Sequence, residues 1–154
     1  MMIGETGSGK SANIDVLTEL YNQLKIKVIV YRINPKAVSI GQLFGEQTIE
    51  WHDGIFANIA RIACRDVSDT RHWIIMDGPV DTYWIENINS VLDETKKLCL
   101  ANAQILSFTQ YTKMLFEVDN LNQASPAIVS RCGMVYMNLE DLEPIAMWKS
   151  WLKR

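Results

Sequence analysis

Cysteine is scarce in this sequence, and Cys64, Cys99 and Cys132 stand far apart with no Cys-x-x-Cys pair. Such spacing argues against a disulfide framework or a thiolate zinc site and makes a reducing compartment the default. No apolar run approaches the roughly 20 residues of a membrane-spanning helix, and the first residues lack the basic stretch and apolar core of a secretory signal. Positive charge is not in excess either. The formal net charge is −3, so no basic field invites nucleic acid or an anionic membrane. Internal repeats and low-complexity tracts are missing as well. What remains is a chain of 154 residues, 48% hydrophobic and 21% charged, which suits one globular domain with a substantial core.

The most informative stretch lies near the beginning. Gly4-Glu5-Thr6-Gly7-Ser8-Gly9-Lys10-Ser11 fits the phosphate-binding loop pattern of Gly, four residues, then Gly-Lys-Ser. Glycines let the backbone turn tightly and approach a phosphate without a Cβ in the way. Successive N–H groups then make an anion-binding concavity at a helix N-terminus. Lys10 is expected to reach the β- and γ-phosphates of a nucleotide, and the Ser11 hydroxyl to ligate Mg²⁺. An ordinary glycine-rich turn would match so short a pattern by chance, but the flanks favour the loop. Met1-Met2-Ile3 reads as the tail of a buried strand, and Ile14, Leu17, Tyr21 and Leu24 form a helical stripe directly after the lysine. Only three residues precede the loop, so the sequence reads as cut at its front.

Further along, Lys27–Ile33 is a β-branched run suited to a buried parallel strand, ended by Asn34-Pro35. Residues 36–50 read as a loop with a short helix around Ser39–Phe44. Asp53 is expected to cap a helix carrying Ile55, Ile59 and Ile62 on one face. Trp73–Asp77 predicts a second buried strand, and Asp81 the start of a helix with Trp84, Ile88 and Val91, running to about Asp93. Lys97–Thr109, centred on Ala101-Asn102-Ala103, predicts a hairpin. Lys113–Val118 is a third strand, Ser125-Pro126 a capped helix start stopped by Gly133, and Met134–Met137 a last strand. Pro144 opens a final helix with Ile145, Trp148 and Leu152 on one side. Strands alternating with helices after a phosphate loop predict an α/β fold, a parallel sheet with helices on both faces, binding ligand at the carboxyl ends of its strands.

Asp77 closes an apolar strand and so is a candidate to hold Mg²⁺ through water, although acids also mark strand ends for no chemical reason. In hydrolysing P-loop proteins of the AAA+ type, the next residue is usually a glutamate that activates the attacking water. Here it is Gly78, followed by Pro79, Val80 and Asp81. Without a base of adequate reach the water is not oriented, so binding with little or no hydrolysis is expected.

The segments Asn34–Val38, Gly41–Glu46, Glu50–Gly54, Asp77–Asp81, Trp84–Asn87, Lys96–Leu100 and Ala124–Met134 together resemble the second AAA+ module of a dynein heavy chain. The Gly-Pro-Val-Asp and Ala-Ser-Pro versions resemble the axonemal branch more than the cytoplasmic one. The link between Glu46 and Trp51 is shorter than the usual pattern. The resemblance implies a P-loop NTPase (AAA+) large subdomain over residues 1–138, truncated at its first strand, with 139–154 beginning the connection to a helical lid that is lacking. It implies a site holding ATP or ADP with Mg²⁺ through Gly4, Glu5, Thr6, Gly7, Ser8, Gly9, Lys10, Ser11 and Asp77. Asn120, just past the third strand, is a candidate polar contact to the γ-phosphate from its position alone, since the matching place in the family varies in kind. Ser11 and Asp77 are the metal residues. Arg131 resembles an arginine finger directed at the nucleotide of the preceding module, its fork matched to phosphate oxygens; on spacing alone it reads as a solvated charge at a helix end. Implied partners are the neighbouring AAA+ modules of the same heavy chain and, through the whole motor, dynein intermediate and light chains and microtubules. The implied location is the cytoplasm, cytoskeleton and ciliary axoneme. Two other readings stand beside this one: an autonomous P-loop ATPase using Asp81 or Glu86 as base, and a degenerate fragment without a working site.

Overall fold

The computed structural model describes residues 1–141, 148, 149, 151 and 152. Its frame is a five-stranded sheet made from the apolar runs of the sequence. These are β1 (Met2–Ile3), β2 (Val28–Ile33), β5 (Arg71–Asp77), β8 (Thr112–Val118) and β9 (Val135–Tyr136), in the order β2-β5-β8-β1-β9. Every pairing is parallel. Parallel neighbours need crossover connections, and helices supply them, so both faces of the sheet are covered.

Among the described elements, one face is covered by the long helix α1 (Lys10–Gln23), with Ile14 packed against Trp73 and Ile75. Tyr21 meets Trp73 edge to face at 5.4 Å. The other face carries α2 (Ile40–Phe44), α3 (Ile55–Arg65), α4 (Thr82–Ile85), α5 (Asn89–Leu92) and α6 (Pro126–Arg131). Their apolar side chains close over Ile74, Met76, Phe116 and Val118 in the main core. Two antiparallel hairpins complete it: β3 (Gly45–Gln47) with β4 (Trp51–Asp53), and β6 (Lys97–Cys99) with β7 (Ile105–Ser107).

Local chemistry explains the short helices. Ser39 accepts from the Gln42 amide while Gln42 returns a bond to the Ser39 amide, a capping box that starts α2. Ser125 caps α6 with Pro126 at its first turn. Asp81 caps α4 by accepting from the Tyr83 amide at 2.9 Å.

Several expectations need correction. Asp53 does not cap α3; Gly54 occupies that position, and the Asp53 carboxylate instead binds the Arg61 guanidinium and the Trp51 indole. The buried face of α3 is Phe56, Ala57, Ala60 and Ala63, while Ile55 and Ile62 are each 48% exposed. Alanines let the helix lie close to its neighbours, and Phe56 fills the gap, so volume overrides the isoleucine stripe. On α1 only Ile14 is buried; Leu17 on the helix and Leu24 just past its end are exposed. The helix expected from Asp81 to Asp93 is broken into α4, a 3-10 turn at Glu86–Ile88, and α5, although Trp84, Ile88 and Val91 are buried as expected. The shortened link between Glu46 and Trp51 contains the turn of the β3–β4 hairpin, residues 48–50, where the sequence predicts loop. Trp73 and Trp84 are core residues; Trp148 and Trp151 are exposed, their rings edge to face at 5.9 Å. The start of the helix expected at Pro144 lies outside the described residues.

Candidate functional site

The site begins where β1 ends, between β8 and β9 in the sheet. The Gly4 amide donates to the Val118 carbonyl at 3.1 Å, carrying the ladder one step beyond the strand. A Cβ on Gly4 would lie 2.2 Å from the Met137 carbonyl oxygen, so only glycine fits there. Gly7 (φ 89°) and Gly9 (φ 84°) then take the left-handed conformation that glycine adopts without strain. They fold the loop back so that α1 starts at Lys10, with no side chain capping its first amides. Those amides point outward from a 14-residue helix, the arrangement that favours an anion.

Lys10 is 11% exposed and donates to the carbonyls of Gly4 (2.5 Å) and Glu5 (3.0 Å), with Asp119 3.4 Å away. Ser11 gives its hydroxyl proton to Oε2 of Glu117. Oε1 of Glu117 accepts from Arg32 at 2.6 Å, and the other arm of the Arg32 fork binds Asp15 at 2.7 Å. Burial opposes the charge on Arg32, but the hydrogen bond to Asp15 and the charge of Glu117 more than offset it. Asp77 ends β5 directly opposite Glu117 on β8, with its side chain exposed.

A cleft of about 410 Å³ gathers Thr6, Gly7, Gly9, Lys10, Ser11 and Asp77 from the expected set, together with Gly78, Glu117 and Asp119. Gly4 and Glu5 border an adjoining cleft instead, and Ser8 is buried beneath the loop with its hydroxyl unbonded. Asn120 does not line the main cleft. Its side-chain oxygen accepts from the Asn122 amide at 3.1 Å and holds the following turn; the neighbouring Asp119 takes the place at the cleft. Asp81 and Glu86 also lie outside it. Asp81 is spent on the α4 cap and on Lys36 at 3.0 Å; the Tyr83 amide, then Lys36, hold its carboxyl below the ordinary range. Arg131 is elsewhere again, bonded to Asp93 and to the Ala127 carbonyl beside a separate surface hollow.

Glu117 and Arg32 escaped the sequence reading, yet a signal existed. Each is a charged residue inside an apolar strand, and Glu117 is buried there, where a charge is seldom found without a partner. The donor set fits a magnesium nucleotide: backbone amides and Lys10 for phosphate, the Ser11 hydroxyl and the Asp77 carboxylate as hard oxygen groups. Mg²⁺ is held this way, by one or two protein oxygens plus phosphate and water, rather than by a protein cage. Among the described residues no group of three or more His, Cys, Asp or Glu forms such a cage.

Fold and site together define an α/β P-loop NTPase. The chain belongs to the AAA domain family, dynein-related subfamily, whose pattern matches residues 1–132. It is 44% identical over 165 residues to human dynein axonemal heavy chain 6 and 44% identical over 167 residues to mouse dynein axonemal heavy chain 1. It is also 43% identical over 164 residues to the dynein-1-beta heavy chain of the flagellar inner arm I1 complex of Chlamydomonas reinhardtii. These matches cover 99 to 100% of this chain but only 4% of each relative.

Proposed function

We propose that this chain is the second AAA+ module of an axonemal dynein motor ring, binding ATP with Mg²⁺ without hydrolysing it. Residues 1–138 form its large α/β subdomain, and 139–154 begin the connection to a helical lid. Its neighbours are the other AAA+ modules of the heavy chain. Through the whole motor it serves microtubule-based movement in the cytoskeleton of the axoneme, with dynein intermediate and light chains as further partners. The observation that carries this reading is the meeting of Lys10, Ser11 and Asp77 in one cleft with no side chain at position 78. A Cβ at Gly78 would lie 3.1 Å from Oδ1 of Asn34, so a longer group there would press on the 34–35 turn. Of the carboxylates in the cleft besides Asp77, Glu117 has both oxygens committed and Asp119 is beside Lys10. Arg131, outside this cleft and at the end of α6, acts on the γ-phosphate held by the preceding module.

Calorimetry with Mg-ATP tests the site: the wild-type chain binds, and Lys10→Ala does not. Steady-state turnover by the wild type that Lys10→Ala abolishes would overturn the non-hydrolysing assignment, and Asp119→Asn would then identify the base.

A further inference from the structure

Glu117 is a carboxylate where burying one is costly. It is 2% exposed, on β8 between β5 and β1. Both of its oxygens are taken, Oε1 by Arg32 at 2.6 Å and Oε2 by the Ser11 hydroxyl. Glu117 accepts from the guanidinium through one oxygen and from the Ser11 hydroxyl through the other, so the Ser11 O–H points at Glu117. A serine hydroxyl has one proton and two lone pairs. With the proton committed, Ser11 offers the cleft lone pairs alone. That face suits a hard cation and is wrong for donating to a phosphate oxygen.

We propose that Glu117 is a positioning residue for the magnesium nucleotide: it fixes Ser11 as a cation ligand, and Arg32 holds Glu117 oriented for that task. Asp15 completes the device. It lies four residues after Ser11 on the same face of α1 and binds the second arm of Arg32 at 2.7 Å, so the helix bearing Ser11 is tied to the strand bearing Arg32. This inference rests on the nucleotide-site reading above. A merely structural ion pair between β8 and β2 would stabilise the sheet but would give nucleotide binding no special dependence on Mg²⁺.

Glu117→Gln discriminates the two. Arg32 can only donate, so it draws the amide oxygen of the new side chain toward itself and turns the NH₂ toward Ser11. The NH₂ then donates into a Ser11 lone pair, and the hydroxyl proton swings into the cleft. Binding of a fluorescent ADP analogue to the 154-residue chain is measured in excess Mg²⁺ and in EDTA. In wild type Mg²⁺ tightens binding. In Glu117→Gln that gain is expected to shrink by about tenfold, the size of one charge-assisted hydrogen bond, with affinity in EDTA nearly unchanged. Arg32→Met/Glu117→Gln frees the amide to flip its oxygen back to Ser11 and should restore most of the gain. An intact Mg²⁺ gain in Glu117→Gln, equal weakening with and without Mg²⁺, or no recovery in the double variant would overturn the proposal. Wild type indifferent to Mg²⁺ overturns it while leaving the nucleotide site standing; wild type that binds no nucleotide overturns both. Should Glu117→Gln lose its thermal unfolding transition, the double variant, with neither charge to bury, is compared with Ser11→Ala. It should keep a Mg²⁺ gain that Ser11→Ala lacks, and equal loss in both would again refute the assignment.

Discussion

Arg131 grips Asp93, joining the last turn of α6 to the residue that follows α5. Both side chains are partly open to solvent, 32% and 42% exposed, so the pair contributes less than about 1 kcal/mol. Arg131→Ala should therefore leave the urea stability of the chain within about 1 kcal/mol of wild type. In a complete heavy chain the same change should lower ATP turnover at the preceding module by about 10³-fold or more. Nucleotide at Lys10 and Ser11 should remain. Unchanged microtubule-stimulated turnover would remove the finger assignment.

Gly4 and Gly133 make a matched pair. An alanine at 4 would put its Cβ 2.2 Å from the Met137 carbonyl oxygen and 2.7 Å from the Ser8 hydroxyl, whereas nothing lies within 4 Å of one at 133. Gly4→Ala is expected to cost about 1–3 kcal/mol, as overpacking does, and to weaken nucleotide binding by displacing the loop. Gly133→Ala should stay within about 0.5 kcal/mol of wild type. Thermal unfolding of the two variants checks this directly.

Acid should weaken the fold partly through Asp66. The Ser68 hydroxyl and the His72 ring, helped by the Ser68 amide, lower its pKa from 3.8 to about 2. A depressed carboxyl stabilises the fold above its unfolded pKa and loses that contribution as pH falls through the folded value. The stability difference between wild type and Asp66→Asn should thus shrink as pH falls between about pH 4 and pH 2. Urea denaturation across that range measures it, and a difference that grew on acidification would contradict the assignment.

On α3 the structure and the hydropathy stripe disagree, which makes a sharp test. Phe56→Ala should cost about 3–5 kcal/mol, because Phe56 is fully buried against Phe44. Ile62→Ala, at a half-exposed position, should cost less than about 1 kcal/mol. Reversed magnitudes would restore the isoleucine face. The stripe misled because it counts hydrophobicity and not size: Ala57, Ala60 and Ala63 score weakly yet permit the closest approach.

What could be read from sequence was local. The phosphate loop is eight consecutive residues whose glycines, lysine and serine state their chemistry by order, and the caps at Ser39, Asp81 and Ser125 act over three residues or fewer. The parallel strands were legible because their apolar runs are continuous. The Ser11–Glu117–Arg32 chain was not, because it spans 106 residues on one side and 85 on the other. Only the strand order brings those residues together. Likewise, choosing between Asp119 and Asn120 required knowing that the Asn120 side chain is used by the next turn.

The two-residue strand β1 has a mechanical meaning. Among the described residues it is the strand that joins β9 to the rest of the sheet: Val135 and Met137 donate to the carbonyls of Met1 and Ile3 at 2.9 and 2.8 Å. The glycine loop and β9 thus hang from the same short hinge pin. The register Met2↔Val135 and Ile3↔Tyr136 thus sets the residues just before the loop against partners more than 130 residues away in sequence.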